Sequence, residues 1–187
     1  MLVRLTPFSI PGDLDLRLES MGWRRDGDTH VLLRTKEFRG LTPKDLPADL
    51  EWQTLDGAAY AAAVGALRGS SPQQQQAHAQ RLALSPVPYR GFALRSRLSG
   101  EVLCCGQFAR EGDLVGLYDV FTHPAARGRR LAESLCERLL VIAANEGATT
   151  AYLQVEAGNA AALSVYRRLG FEHGYGYHYR HAPDTTG

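Results

Sequence analysis

The 187-residue chain has little charge imbalance, little cysteine and no long apolar stretch, and each shortage removes a class of function. Its 21 Lys and Arg stand against 20 Asp and Glu, a formal charge of +1, so no basic field marks it for nucleic acid or an anionic membrane. Its apolar runs stop far short of the roughly 20 residues that span a bilayer, and neither a membrane nor a nucleic acid is expected as partner. The opening "MLVRLTPFSIPGDLD" turns polar and is broken by proline and glycine too early for the apolar core of a secretory signal; a cytoplasmic protein is expected. Cys104, Cys105 and Cys136 are odd in number and lack metal-ligand spacing. Adjacent on a strand, 104 and 105 point to opposite faces, so small buried hydrophobes in a reducing compartment are the reading. His173, His178 and His181 lack the cysteine or carboxylate that completes a metal site, and no metal is expected.

What is present is a soluble α/β pattern, 44% hydrophobic and 22% charged, long enough to bury a core. "LEWQTL" (50–55) reads as a strand and "DGAAYAAAVGALRG" (56–69) as a helix closed by Gly69. "SSPQQQQAHAQRLAL" (70–84) has a serine cap and Pro72 at the first helical position, its glutamine run forming a solvated face. Strands at 90–96, 101–110 and 114–122, joined by "RLSG" and "EGD", form an antiparallel meander. A helix is predicted from Gly128 to about Asn145, with Leu131, Leu135, Leu139 and Ile142 as its core stripe. A strand at 150–157 leads to a helix capped by Asn159, with Ala162, Val165, Tyr166 and Leu169 inward and Gly170 at its end. Extended sequence follows over 171–181, where Tyr175, Tyr177 and Tyr179 alternate, and then a frayed tail, 182–187.

The first 36 residues read strand, helix, strand, as does the C-terminal stretch. Leu5 precedes Gly22 by as many positions as Leu153 precedes Gly170, and "LESMGW" and "YRRLGF" both place glycine before an aromatic at the helix end. The expected organisation is an N-terminal β-α-β extension (1–36), either a degenerate internal repeat or an unrelated unit, then a linker (37–49) and a main domain (50–181).

The chemistry concentrates in "HPAARGRRLAESLCERLL" (123–140). The stretch is neither a P-loop nor a dinucleotide GxGxxG. It is a tight turn that aims the unpartnered N–H groups of a helix start in one direction, where the macrodipole favours an anion such as a pyrophosphate. Arg127, Arg129 and Arg130 add charge-assisted donors.

From these residues the chain resembles the GCN5-related N-acetyltransferases over roughly 50–180. "VFTHPAARGRRLAESL" is similar to that family's acetyl-CoA motif, and "LQVEAGNAAALSVYRRLGF" to its second signature. The resemblance implies a mixed α/β fold: a central, mostly antiparallel twisted sheet flanked by helices, opening in a V between strands 114–122 and 150–156. It implies acetyl-CoA as co-substrate and a primary amine as acceptor, attacking the thioester directly in a ternary complex, in a monomer or homodimer. Val120, Phe121 and Thr122 would meet the pantetheine arm, with backbone groups of 120 and 122 pairing like an added strand. Arg127, Gly128, Arg129, Arg130, Leu131 and Ala132 would cradle the pyrophosphate. Asn159 would reach the cofactor's amide region, and Tyr166 would protonate the departing thiolate.

Two departures stand out. Arg130 occupies a position where the family usually has glycine. Gln154 stands twelve residues before Tyr166, where some members place a glutamate base. Glu156 on the same strand face is the favoured base, with Asp119 on the neighbouring strand and water as alternatives. A non-catalytic acyl-CoA-binding or regulatory module is the rival reading, and the amine acceptor's identity is left open.

Overall fold

The structure is a computed structural model that describes residues 1–35, 38, 42–43 and 45–183. Part of the expected linker and the end of the expected tail lie outside the described residues. In chain order the elements are β1 (Leu2–Leu5), α1 (Leu14–Ser20), β2 (Arg24–Arg34), β3 (Leu50–Leu55), α2 (Gly57–Arg68), α3 (Pro72–Ala83) and β4 (Tyr89–Ser96). Then follow β5 (Val102–Glu111), β6 (Leu114–Thr122), α4 (Leu131–Asn145), β7 (Thr150–Glu156), α5 (Ala160–Arg168) and β8 (Glu172–His181). The chain is mixed α/β with a mostly antiparallel sheet, as expected: β1/β8, β2/β8, β3/β4, β4/β5 and β5/β6 all pair antiparallel. Among the described residues no helix is long and apolar enough to cross a membrane. Two compact units divide the chain, one of Arg34–Tyr152 and one of Met1–Leu33 with Leu153–Gly187.

In the unit Arg34–Tyr152 the strand order is β6-β5-β4-β3, and local signals set its helix ends. Asp56 accepts from Ala59 N at 2.8 Å, and Gly69 closes α2 in the left-handed conformation. Ser71 and Gln74 form a reciprocal capping box at the start of α3, with Pro72 behind the cap. The glutamine run is not wholly solvated. Gln75 is half-buried and donates to Ser70 O at 3.0 Å, its stem lying where a side chain on Gly65 of α2 would stand.

Neighbouring residues of β5 face opposite helices. Cys105 clusters with Tyr60 and Val64 of α2, whereas Gly106 lies beneath Leu135 and Leu139 of α4. All three cysteines are buried and free, and burial pushes the Cys104 and Cys105 thiols up to about 12. The buried stripe of α4 runs through Leu131, Leu135, Leu139 and Ala143, while Ile142 is half-buried. Repeated four-residue steps keep turning the same way around a 3.6-residue helix, and Ala143 follows that turn where the expected Ile142 does not.

In the other unit the order is β1-β8-β2-β7, with β7 beginning in the one unit and ending in the other. Its two helices end alike. Gly22 and Gly170 both have φ 78°, Trp23 N donates to Leu18 O at 3.0 Å, and Phe171 N donates to Tyr166 O at 3.0 Å. Leu5, Leu18 and Trp23 are buried, as are Leu153, Tyr166 and Phe171.

A buried cation anchors this unit. Arg180, 4% exposed, donates to Asp15 Oδ1 at 2.7 Å and to Trp23 O at 3.0 Å, and His178 Nε2 lies 3.0 Å from the same carboxylate oxygen. The hydrogen bond from Arg180, opposed by burial and helped by His178, holds the Asp15 carboxyl below the ordinary aspartate value of 3.8. A depressed carboxylate stabilises the fold fully above its unfolded pKa and loses that contribution as pH falls through its folded one. Asp15→Asn should therefore lower stability at pH 7, with the gap to the parent closing below about pH 3.8. Guanidinium denaturation at several pH values measures it; a gap that stays constant on acidification would contradict the assignment.

Candidate active site

Strand β6 leads into the candidate anion site through a bulge. Cys105 pairs with Phe121 and Gln107 with Tyr118, so Asp119 and Val120 together oppose Gly106. Asp119 takes φ 50°, rare for a residue with a Cβ. Interactions from three elements hold it there. Tyr60 Oη donates to its carbonyl at 2.9 Å, Arg68 to Oδ1 at 3.0 Å and Gln107 Nε2 to Oδ2 at 2.9 Å, with His78 Nε2 3.4 Å from Oδ2. Burial is the first cause lowering the His78 pKa, which keeps that ring neutral near pH 7. Arg68, His78 and Gln107 carried no motif that sequence reading could find. The one local signal was His78 on a helix otherwise lacking a strong apolar stripe.

Beyond the bulge, Thr122 pairs with Cys104, and His123 N donates to Leu103 O at 2.8 Å. His123 Nδ1 in turn accepts from Ala125 N at 3.2 Å, capping a single 3-10 turn over Pro124–Ala126. Helix α4 then begins at Leu131, later than the expected Gly128. Gly128 has φ 81° and Arg130 φ 57°, neither compatible with a right-handed helix. The arginines thus precede the helix, and the charge inside its first turn is Glu133, on the side the macrodipole favours.

The left-handed conformation at position 130 is one that glycine adopts without steric penalty and that an arginine adopts with a Cβ clash. Arg130, at the N-cap position of α4, caps no helix N–H with its side chain. Arg127, Gly128, Arg129 and Arg130 are all exposed. Arg129 donates to Asp49 at 2.6 Å, so part of its charge is already matched; Arg127 and Arg130 make no ion pair among the described residues. Leu131 turns its side chain into the core, leaving its backbone as what it can offer a ligand. Arg130→Gly should raise stability by about 0.5–1 kcal/mol through relief of the left-handed Cβ clash. Urea denaturation checks this, and a fall in the midpoint would mean that the arginine side chain contributes more than its backbone loses.

The remaining candidates belong to the unit of the chain ends. Asn159 is exposed and caps α5, its Oδ1 accepting from Ala162 N at 3.0 Å. Tyr166 is 9% exposed, its ring edge-on to Phe171 at 5.9 Å. Gln154 accepts from Tyr177 Oη at 2.6 Å, and Tyr177 packs under Arg4 and against Tyr179. Glu156 is exposed on β7, its carbonyl accepting from Asn159 N at 3.0 Å. The three C-terminal histidines are dispersed: His173 meets His30 ring to ring, His178 meets Asp15, and His181 lies 3.6 Å from Asp26.

Comparison with known proteins gives the motifs a context. Residues 62–171 match the model of the acetyltransferase (GNAT) family. A tandem GNAT protein from the clavulanic acid biosynthesis pathway superposes with a TM-score of 0.75 at 14% identity, over 96% of this chain and 62% of its own. A GCN5-related N-acetyltransferase from Sphaerobacter thermophilus gives 0.72 at 18% identity, over 96% of this chain and 59% of its own. One from Kribbella flavida gives 0.68 at 19% identity, over 97% and 68%. At such identities the superpositions speak for the fold, and the chain spans about 59–68% of the length of these three structures.

Proposed function

Because this chain belongs to the GNAT acetyltransferase family, we propose that it moves an acetyl group from acetyl-CoA to a primary amine by direct attack in a ternary complex. The observation that carries this reading is the start of α4: an N-cap residue, Arg130, whose side chain caps no helix amide, behind a left-handed Gly128–Arg130 turn, with Arg127 and Arg130 exposed and unpaired among the described residues. That donor set suits a pyrophosphate. Bound acetyl-CoA supplies an activated thioester; the chain supplies position and proton transfer.

In this reading Val120, Phe121 and Thr122 hold the pantetheine arm beyond the bulge, Arg127 to Ala132 hold the pyrophosphate, and Asn159 adds a contact near the pantetheine amides. Tyr166 holds the proton that the leaving thiolate takes. Glu156 is the favoured acceptor of the amine proton, because Asp119 already has donors on both carboxylate oxygens. The acceptor is a primary amine on a small molecule, a peptide or a protein.

Calorimetric titration with acetyl-CoA, and with ATP as control, tests the cradle. Micromolar acetyl-CoA binding with none for ATP is expected, together with amine-dependent thiol release. Failure of acetyl-CoA to bind would overturn the reading. The second reading, a non-catalytic acyl-CoA-binding module, draws on Gln154, which holds Tyr177 and offers no base. It predicts binding with no amine-dependent thiol release.

A further inference from the structure

Strand β4 places Ala93 in the core beneath α2 and then, two residues on, places Arg95 in a cavity under the same helix. An arginine on the helix-covered face of a strand calls for a partner, because a half-buried cation loses hydration that only an anion or a set of acceptors restores. Among the described residues Arg95 has none. It forms no ion pair, and its Nε is buried without a hydrogen-bond partner. Opposite Arg95 on β3 stands the exposed Glu51, with which it forms no ion pair among the described residues; two positions along the same strand Gln53, opposite Ala93, has its Oε1 buried and unpartnered among the described residues.

Both residues line a cavity of about 510 Å³, in the size range of small-molecule sites. One wall is the alanine face of α2, with Ala62, Ala63 and Ala66 presenting only methyl groups. Leu55 and Val102 add apolar surface below it. Glu101 stands at the edge of the cavity, exposed, one carboxylate oxygen accepting from Ser99 Oγ at 2.9 Å and the group making no ion pair with Arg95. One cavity therefore combines an unpaired cation, an unpaired carboxylate, an acceptor without a donor and an apolar wall.

Those four features match one chemical class. We propose that this cavity binds a free α-amino acid with a large apolar side chain. Its carboxylate faces the Arg95 guanidinium, its ammonium donates to Gln53 Oε1 and to Glu101, and its side chain lies along the alanine face of α2. A fatty acid would leave Glu101 and Gln53 unmatched, and an alkylamine would leave Arg95 unmatched. The short alanine side chains provide the volume, and any longer residue at those positions would fill it.

The test is calorimetry on the full chain without acetyl-CoA, so it stands apart from whether the protein turns over. L-phenylalanine is the probe, with 3-phenylpropionate, which lacks the ammonium, and phenethylamine, which lacks the carboxylate. Phenylalanine should bind at submillimolar concentration, and each control should bind at least about tenfold more weakly, the loss of one charge-assisted contact. Arg95→Gln and Ala62→Phe should each weaken phenylalanine about tenfold or more. Ala62 is an exposed helix position, so that variant keeps its fold even if Arg95→Gln does not, and it decides alone in that case. No binding of phenylalanine, equal binding of all three molecules, or undiminished binding in Ala62→Phe would each overturn the proposal.

Discussion

Tyr166→Phe should lower kcat by about 10²–10³-fold while acetyl-CoA binds within about twofold of the parent affinity. The expectation rests on what the substitution keeps as well as what it removes. The ring stays against Phe171, and the Tyr166 carbonyl still accepts from Phe171 N at the end of α5. Core packing and helix closure therefore survive. What disappears is a phenolic proton, and a thiolate that leaves without one leaves slowly. Thiol release under saturating acetyl-CoA and amine measures kcat, and calorimetry measures affinity. Equal losses in both would remove Tyr166 from the role of acid and return it to packing.

The largest effect on stability is expected from Gly91→Ala, about 3 kcal/mol. A Cβ at this position would sit 2.6–2.8 Å from Cδ2, Cγ and Cβ of Tyr60. Those atoms are the base of the side chain rather than a movable tip, and Tyr60 is fully buried. Its far end is fixed as well, because the hydroxyl donates to Asp119 O at 2.9 Å. The new methyl group must therefore displace β4, α2 or the bulge of β6. Urea denaturation gives the stability change. A second substitution, Tyr60→Leu, should offset part of the loss, since residues in contact are non-additive. A purely additive pair would place the strain elsewhere.

Much of this architecture was legible because the relevant signals are local. Asp56, Gly69 and the Ser71–Gln74 box end their helices through bonds to residues three or four positions away. The meander was readable from alternation and short turns, and its three antiparallel strands lie where that pattern placed them. The left-handed residues were not readable. Asp119 holds φ 50° through Tyr60, Arg68 and Gln107, residues far away in the chain, so nothing near position 119 announces the bulge. Arg130 hides in the same way: its left-handed φ leaves no local signal, so the sequence pattern places the helix start at Gly128 rather than Leu131. Arg129 resembled its neighbours in the motif, yet Asp49, eighty positions earlier, takes its guanidinium. Gln75 was concealed by its own repetition, since four identical residues give no sign that one of them lies against Gly65.

The division of the chain into units also sets an order of assembly. Arg34–Tyr152 closes its meander from neighbouring segments, so its pairing partners leave the ribosome close together. The other unit pairs Leu2 with His181 and Val3 with Arg180, across nearly the whole chain. During synthesis β1 and α1 therefore wait, with Leu5, Leu18 and Trp23 lacking the strand that completes their sheet, until β8 has been made. A nascent chain arrested before residue 172 should resist protease across the middle of the sequence and be cut readily in its first thirty residues.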